Sequence, residues 1–245
     1  MLQILKRWFG GWPSGSEWAE VQAWAQAAGH SFRRTRDGDG FVIEPADSQV
    51  PWRLEWGPPQ RKYIGGPELR LRGELGGATE LQMMLASRWL MTALEAQVFA
   101  EVTEGTETRI DGATPEEMRW LVLYPKMPGN ELGDLREKFG ALANLPQAAA
   151  LWLAGPLAEQ LATVAEWRND QQPLLLVVQR GRLVLRTVMA EPALPTMQAA
   201  LGLFGVALAT ARRVAQSVAS GDVSNVQPSR WNTQAAASSR QPDHD

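Results

Sequence analysis

Five arginines towards the C-terminal end, Arg180, Arg182, Arg186, Arg212 and Arg213, are the residues whose type and spacing come closest to doing chemistry. That chemistry is the holding of anions. In "QRGRLVLR" Arg182 and Arg186 fall on one face of an expected strand and Arg180 sits by the turn, so three guanidinium forks can converge. Arg212-Arg213 follows a long apolar stretch and extends the same basic surface. Residues 171–219 carry these five arginines against the single Glu191, whereas 76–170 carry fourteen acidic and seven basic side chains. Such asymmetry suits partners of opposite sign, although a charged face that is simply solvated has the same composition. Nucleic acid is not expected: the net charge is -3, and no aromatics lie between these cations for bases to stack on.

Other chemistries are narrowed by what the chain lacks. It has no Cys, which removes disulfides, thiolate metal sites and cysteine nucleophiles. His30 and His244 are the two histidines, too few for multi-histidine metal sites or two-histidine mechanisms. "DGDGF", residues 37–41, opens like a calcium loop, but Phe41 and Ser48 stand where further oxygen ligands belong, so a hairpin turn explains it better. The glycine pairs at 38/40, 76/77 and 129/133 fail the dinucleotide and P-loop spacings. No cofactor is expected. A hydrolase using two carboxylates beside exposed tryptophan would need those carboxylates about 5–10 Å apart. Of the eleven tryptophans, however, Trp18, Trp24, Trp52, Trp56, Trp89 and Trp152 fall on stripes that read as core.

Two segments raise the membrane. In "MLQILKRWFGGW" a helical reading puts Leu2, Leu5, Trp8 and Phe9 near one side and Lys6 and Arg7 towards the other, the pattern of a small docking or interfacial segment. Its basic residues follow the apolar ones and no small-residue cleavage site comes after, so it does not read as a secretory signal. Residues 192–211 run for twenty positions without a charge. Two prolines, two glycines and six alanines dilute that run, and Met197, Leu201, Phe204, Leu208, Ala211, Ala215 and Val218 recur at helical steps, which predicts a helix of a soluble core.

The elements that must position these residues predict an α+β chain: antiparallel β-meander sheet packed against helices. "SEWAEVQAWAQAAG" reads as a helix capped by Ser16 and ended by Gly29. Two strands flank "DGDG", and "WRLEW" and "ELRLRGEL" continue the meander with alternating apolar and charged positions. Residues 79–102 read as helix broken near Ser87, and "TPEEM" starts another. "WLVLYP" reads as a strand or as that helix continuing. Residues 139–167 read as mostly helix interrupted at Gly155-Pro156, "PLLLVVQRGRLVLRTV" as a hairpin, and a long helix closes the fold. A faint echo at a spacing of 67 matches Gly73, Leu75, Leu90 and Leu94 with Gly140, Leu142, Leu157 and Leu161, suggesting two related strand-then-helix units.

These readings divide the chain into an amphipathic segment 1–13, units at 14–112 and 113–219, and a tail 220–245 without periodicity, read as disordered. In element order, helix then meander at one end and hairpin then long helix at the other resemble the secretion-chaperone type of α+β protein. That resemblance implies a non-catalytic binding or adaptor protein whose partner is another polypeptide or a second copy of itself, while twenty Arg against four Lys suggest a bacterial source and the lack of Cys a cytoplasmic one. The alternative expectation is a peripheral membrane protein using residues 1–12 with the basic C-terminal surface.

Overall fold

A computed structural model describes residues 18–46, 51–77, 80–104 and 115–221. The segment bearing Leu2, Leu5, Lys6, Arg7, Trp8 and Phe9, the Ser16 cap, and the tail from 222 lie outside the described residues.

The chain is α+β, built on one eight-stranded antiparallel sheet in the order β1-β2-β3-β4-β8-β7-β5-β6. Helix α1 (Ala19–Ala27) ends where Gly29 takes φ +72, which glycine adopts without a Cβ penalty. Then come β1 (His30–Arg34), β2 (Phe41–Pro45), β3 (Trp52–Gly57) and β4 (Glu68–Glu74), the expected meander. Its turns bring backbones close: a Cβ on Gly40 would stand 2.1 Å from the carbonyl oxygen of Trp56.

Strand β5 (Met83–Ser87) follows, then α2 (Arg88–Glu104), α3 (Glu116–Leu123), α4 (Gly129–Leu132) and a 3-10 turn at Gly133–Glu137. Strand β6 (Phe139–Ala143) leads to α5 (Pro146–Leu153), α6 (Pro156–Ala162) and a second 3-10 turn at Thr163–Glu166. Strands β7 (Leu174–Gln179) and β8 (Arg182–Val188) form the expected hairpin, and α7 (Leu194–Ala219) closes the fold.

Two local expectations change, and one that stood open between strand and helix is decided. Met83–Ser87 and Phe139–Ala143, read as parts of helices, are strands, because both are buried along their whole length and so show no alternation. "WLVLYP" continues the helix begun at Glu116 rather than forming a strand, with Met118 and Trp120 turned into the core.

The hairpin β7–β8 enters the sheet between β4 and β5, so strands from both predicted units share one sheet. Leu90 and Leu94 pack in the cluster on one face, and Leu157 and Leu161 in the cluster on the other. One face is covered by α1, α5, α6 and α7 in a core that holds Trp18, Phe41, Trp56 and Trp152. Helix α7 is apolar and long enough to cross a membrane by length and composition, but Met197, Phe204, Leu208, Ala211 and Ala215 are buried against this core. Gly73 lets it approach, since a Cβ there would stand 2.7 Å from Leu208 Cδ2. Trp152 Nε1 donates to the Ala207 carbonyl at 3.0 Å and ties α5 to the same helix.

Among the described residues the opposite face is covered only in part. Helices α2 and α3 pack over β5, β6 and β7 through Met84, Leu90, Leu94, Met118, Trp120, Leu142, Leu175 and Val177. The remaining part of that face, over β3, β4 and β8, is charged.

Candidate functional site

Register explains why charge collects there. Across the sheet one row runs Arg33, Val42, Glu55, Arg70, Arg186, Leu175, Ala86, and the next runs Arg53, Arg72, Val184, Val177, Met84, Leu142. Side chains change from charged to apolar between β8 and β7 in the first row and between β4 and β8 in the second, on the way to the cover of α3. Two in-register pairs, Arg70 with Arg186 and Arg53 with Arg72, set like charges directly opposite each other, which by itself is unfavourable.

Glutamates at the floor offset that repulsion. Glu68 is fully buried: Oε1 accepts from Arg186 Nη1 at 2.6 Å, and Oε2 accepts from the Gln60 backbone N–H at 2.7 Å and from Arg70 Nη1 at 3.2 Å. Glu55 accepts from Arg53 and, at 3.0 Å, from Arg70 Nη2. Burial pushes the Glu55 carboxyl up, but the hydrogen bonds and charges of Arg70 and Arg53 outweigh it and hold the group below the usual carboxylate range. Arg70 and Arg186 are thereby fixed at 13% and 12% exposure, while Arg72 and Arg182 project at 54% and 59%.

The result is a groove of about 360 Å³ whose lining includes Arg53, Arg70, Arg72, Arg180, Arg182 and Arg186, with Glu55, Gln60, Gln179 and Val184. Arg180 sits in the two-residue turn before β8 with φ +50, and Gly181 follows at +71. Tight hairpins favour Asn or Gly at such positions, and an arginine held there carries a small backbone cost. It is paired with Glu116 at the start of α3, which joins the turn to the covering helix.

No family model, curated protein or solved structure matches this chain.

Of the five arginines singled out by sequence, the structure gathers Arg180, Arg182 and Arg186. Arg212 and Arg213 do not line the groove. Arg212 reaches the end of β4 from α7, its Nε donating to the Glu74 carbonyl at 2.9 Å, while the carboxylate of Glu74 accepts from Arg182 Nε at 2.7 Å. Arg213 is exposed and donates to Thr210 Oγ1 at 3.4 Å. In their place stand Arg53, Arg70 and Arg72. Their polar face was visible in the alternation of "WRLEW" and "ELRLRGEL", but their pairing with β8 was not.

A separate apolar groove of about 470 Å³ lies under α2, lined by Tyr63, Trp89, Leu90, Leu94, Pro173 and Val188 among others. Trp89 is 46% exposed there, and among the described residues no Asp or Glu lines this groove. His30 lies between Trp24 and Trp52, with ring centroids at 5.8 and 5.0 Å, and makes no candidate acid–base dyad with them. Among the described residues no group of three His, Cys, Asp or Glu could hold a metal ion.

The segment before β4 is pinned by buried Glu117 of α3, whose Oε1 accepts from Arg61 Nε at 2.6 Å and from the Tyr63 hydroxyl at 2.7 Å. Burial pushes the Glu117 carboxyl up, but the hydrogen bonds from Arg61 and Tyr63 and the Arg61 charge win and hold it below the usual range. Burial and the Glu117 charge push the Tyr63 phenol up, so it stays protonated as the donor.

A folded-state pKa below the unfolded one makes this carboxylate's contribution full above the unfolded value and lost as pH falls through the folded value. Urea midpoints of the natural chain and Glu117→Gln should therefore differ by a constant amount between about pH 7 and about pH 5 and converge below about pH 4. A gap that persists at low pH would place the effect in packing instead.

Proposed function

We propose that this chain is a non-catalytic binding or adaptor protein that engages an acidic segment of another polypeptide through the arginine-lined groove. One observation carries the reading: six arginines line the groove against the one lining carboxylate Glu55, which is largely buried, and although Glu74 and Glu116 pair with Arg182 and Arg180 at the rim, Arg72 projects with only a 3.8 Å contact to Glu55. The groove's lining is therefore net positive although the chain as a whole is acidic. Complementary potentials of this kind set encounter rate and partner choice. Nucleic acid fits less well, because among the described residues no aromatic side chain lines the groove to receive a base.

The test is co-purification of the partner with the tagged full-length protein and with Arg72→Glu/Arg182→Glu. Both positions are solvent-exposed, so the double reversal, although it sets like charges opposite each other at Glu74, should cost only about 1 kcal/mol of stability while weakening capture by about tenfold or more, and added salt should weaken the natural complex in the same direction. Capture that is indifferent to both reversal and salt would remove this groove from the function.

A further inference from the structure

Resting on that reading, we infer that the groove accepts its acidic partner as an extended strand with carboxylates on alternate residues. The cations form a ladder. On β4 and β8, rungs lie one same-face step apart, about 6.8 Å, and neighbouring strands are about 4.8 Å apart. The register sets Arg186 opposite Arg70 on the first rung, Arg72 opposite Val184 on the second, and Arg182 opposite Glu74 on the third. Strand β8 leaves a gap at Val184, and β4 fills it with Arg72.

Each rung also keeps donors to spare. A guanidinium has five N–H groups. Among the described residues Arg186 gives one to Glu68, Arg182 gives one to Glu74, and Arg72 has only a 3.8 Å contact with Glu55. An extended peptide presents residues i, i+2 and i+4 on one side at the same spacing of about 6.8 Å, so three alternate carboxylates meet three successive rungs without distortion.

A second, independent feature selects an extended ligand over a helix. On the third rung Gln179 stands opposite Arg182, and its buried Oε1 has no hydrogen-bond partner among the described residues. Leaving such an acceptor unpaired is costly, and because Gln179 lines the groove, a turn of its side chain brings the Oε1 to a ligand N–H there. A ligand that meets both demands carries anionic groups beside a free N–H. The backbone of an extended segment offers N–H groups at every residue, whereas the interior N–H groups of a helix are already committed.

The experiment titrates full-length protein into two fluorescently labelled octapeptides of identical composition, one alternating Glu and Ser and the other with its glutamates in one block. The alternating peptide should bind about fivefold or more tightly. Arg72→Glu should reduce its affinity by about tenfold, and Gln179→Ala by severalfold with no change in the salt dependence, since no charge is removed. Equal affinity for the two peptides overturns the inference while leaving an acidic-partner function standing. Binding of neither peptide above an all-Ser control overturns both. Displacement of both peptides alike by inorganic phosphate at low concentration would make the groove a small-anion site, which also overturns the inference.

Discussion

Replacing Glu68 by Ala should lower folding stability by about 3–5 kcal/mol, the cost of leaving buried charge without its partner. Arg70 and Arg186 are directly opposite in register and only 13% and 12% exposed, so neither can turn far into water when the carboxylate between them is gone. The Gln60 N–H loses its acceptor in the same step. Glu68→Gln keeps the shape and one acceptor oxygen but removes the charge, and should cost less, about 1–3 kcal/mol.

The same carboxylate opposes the proposed ligand, because a negative floor weakens the attraction of the groove for an anion. Stability and binding should therefore move in opposite directions. Glu68→Gln should unfold at lower urea yet bind an acidic peptide more tightly per folded molecule. Urea titration and peptide binding on one preparation measure both quantities. Weaker binding by a fully folded Glu68→Gln would mean that Glu68 acts on the ligand only by orienting Arg70 and Arg186, so that the outward potential is not what recruits the partner.

The same residues show how far local sequence reaches. Alternation in "WRLEW" and "ELRLRGEL" identifies the strands and the charged face because one side of this meander meets water. "MMLAS" and "FGALA" are buried on both sides, and a short apolar run has no period with which to distinguish strand from helix. The entry of β7–β8 beside β4 is a pairing between residues more than a hundred positions apart, as Arg70 with Arg186 shows. No local pattern encodes it. For that reason Arg180, Arg182 and Arg186 could be grouped from one hairpin, while the arginine completing their ladder, Arg72, required the fold.

Arg212 and Arg213 illustrate the converse error. They are near Arg186 in sequence and basic, but the apolar stripe of α7 must face the covered side of the sheet, which carries its arginines away from the groove. Trp89 was grouped with core tryptophans by its position on a helical stripe and is instead half exposed on the rim of the apolar groove. The stripe and the edge of the helix differ by a single residue, Leu90 being fully buried beside it.

Trp56→Ala should produce a loss of similar size, about 3–5 kcal/mol, from a wholly different source. The ring is 1% exposed, stacked on Phe41 at 5.7 Å and edge-on to Trp18 at 5.9 Å, and its Nε1 donates to the Met189 carbonyl at 2.8 Å. Truncation opens a cavity among large rings, and the buried Met189 carbonyl loses a donor as well. Against a typical total of about 5–15 kcal/mol, such a loss leaves little margin for folding. Trp56→Phe retains most of the ring packing and removes the N–H, so it should cost about 1–2 kcal/mol. Urea unfolding of the two variants separates the contributions, and equal losses would assign the effect to the hydrogen bond alone. Because Met189 follows the last residue of β8, this bond ties β3 to the end of the strand that carries Arg182 and Arg186. Its donor lies on the covered face and is given to the Met189 carbonyl, so folded Trp56→Phe should bind the alternating peptide with unchanged affinity. A loss of binding there would show that the arginine ladder depends on the core beneath it for its spacing, and would extend the functional unit from the polar face through the sheet.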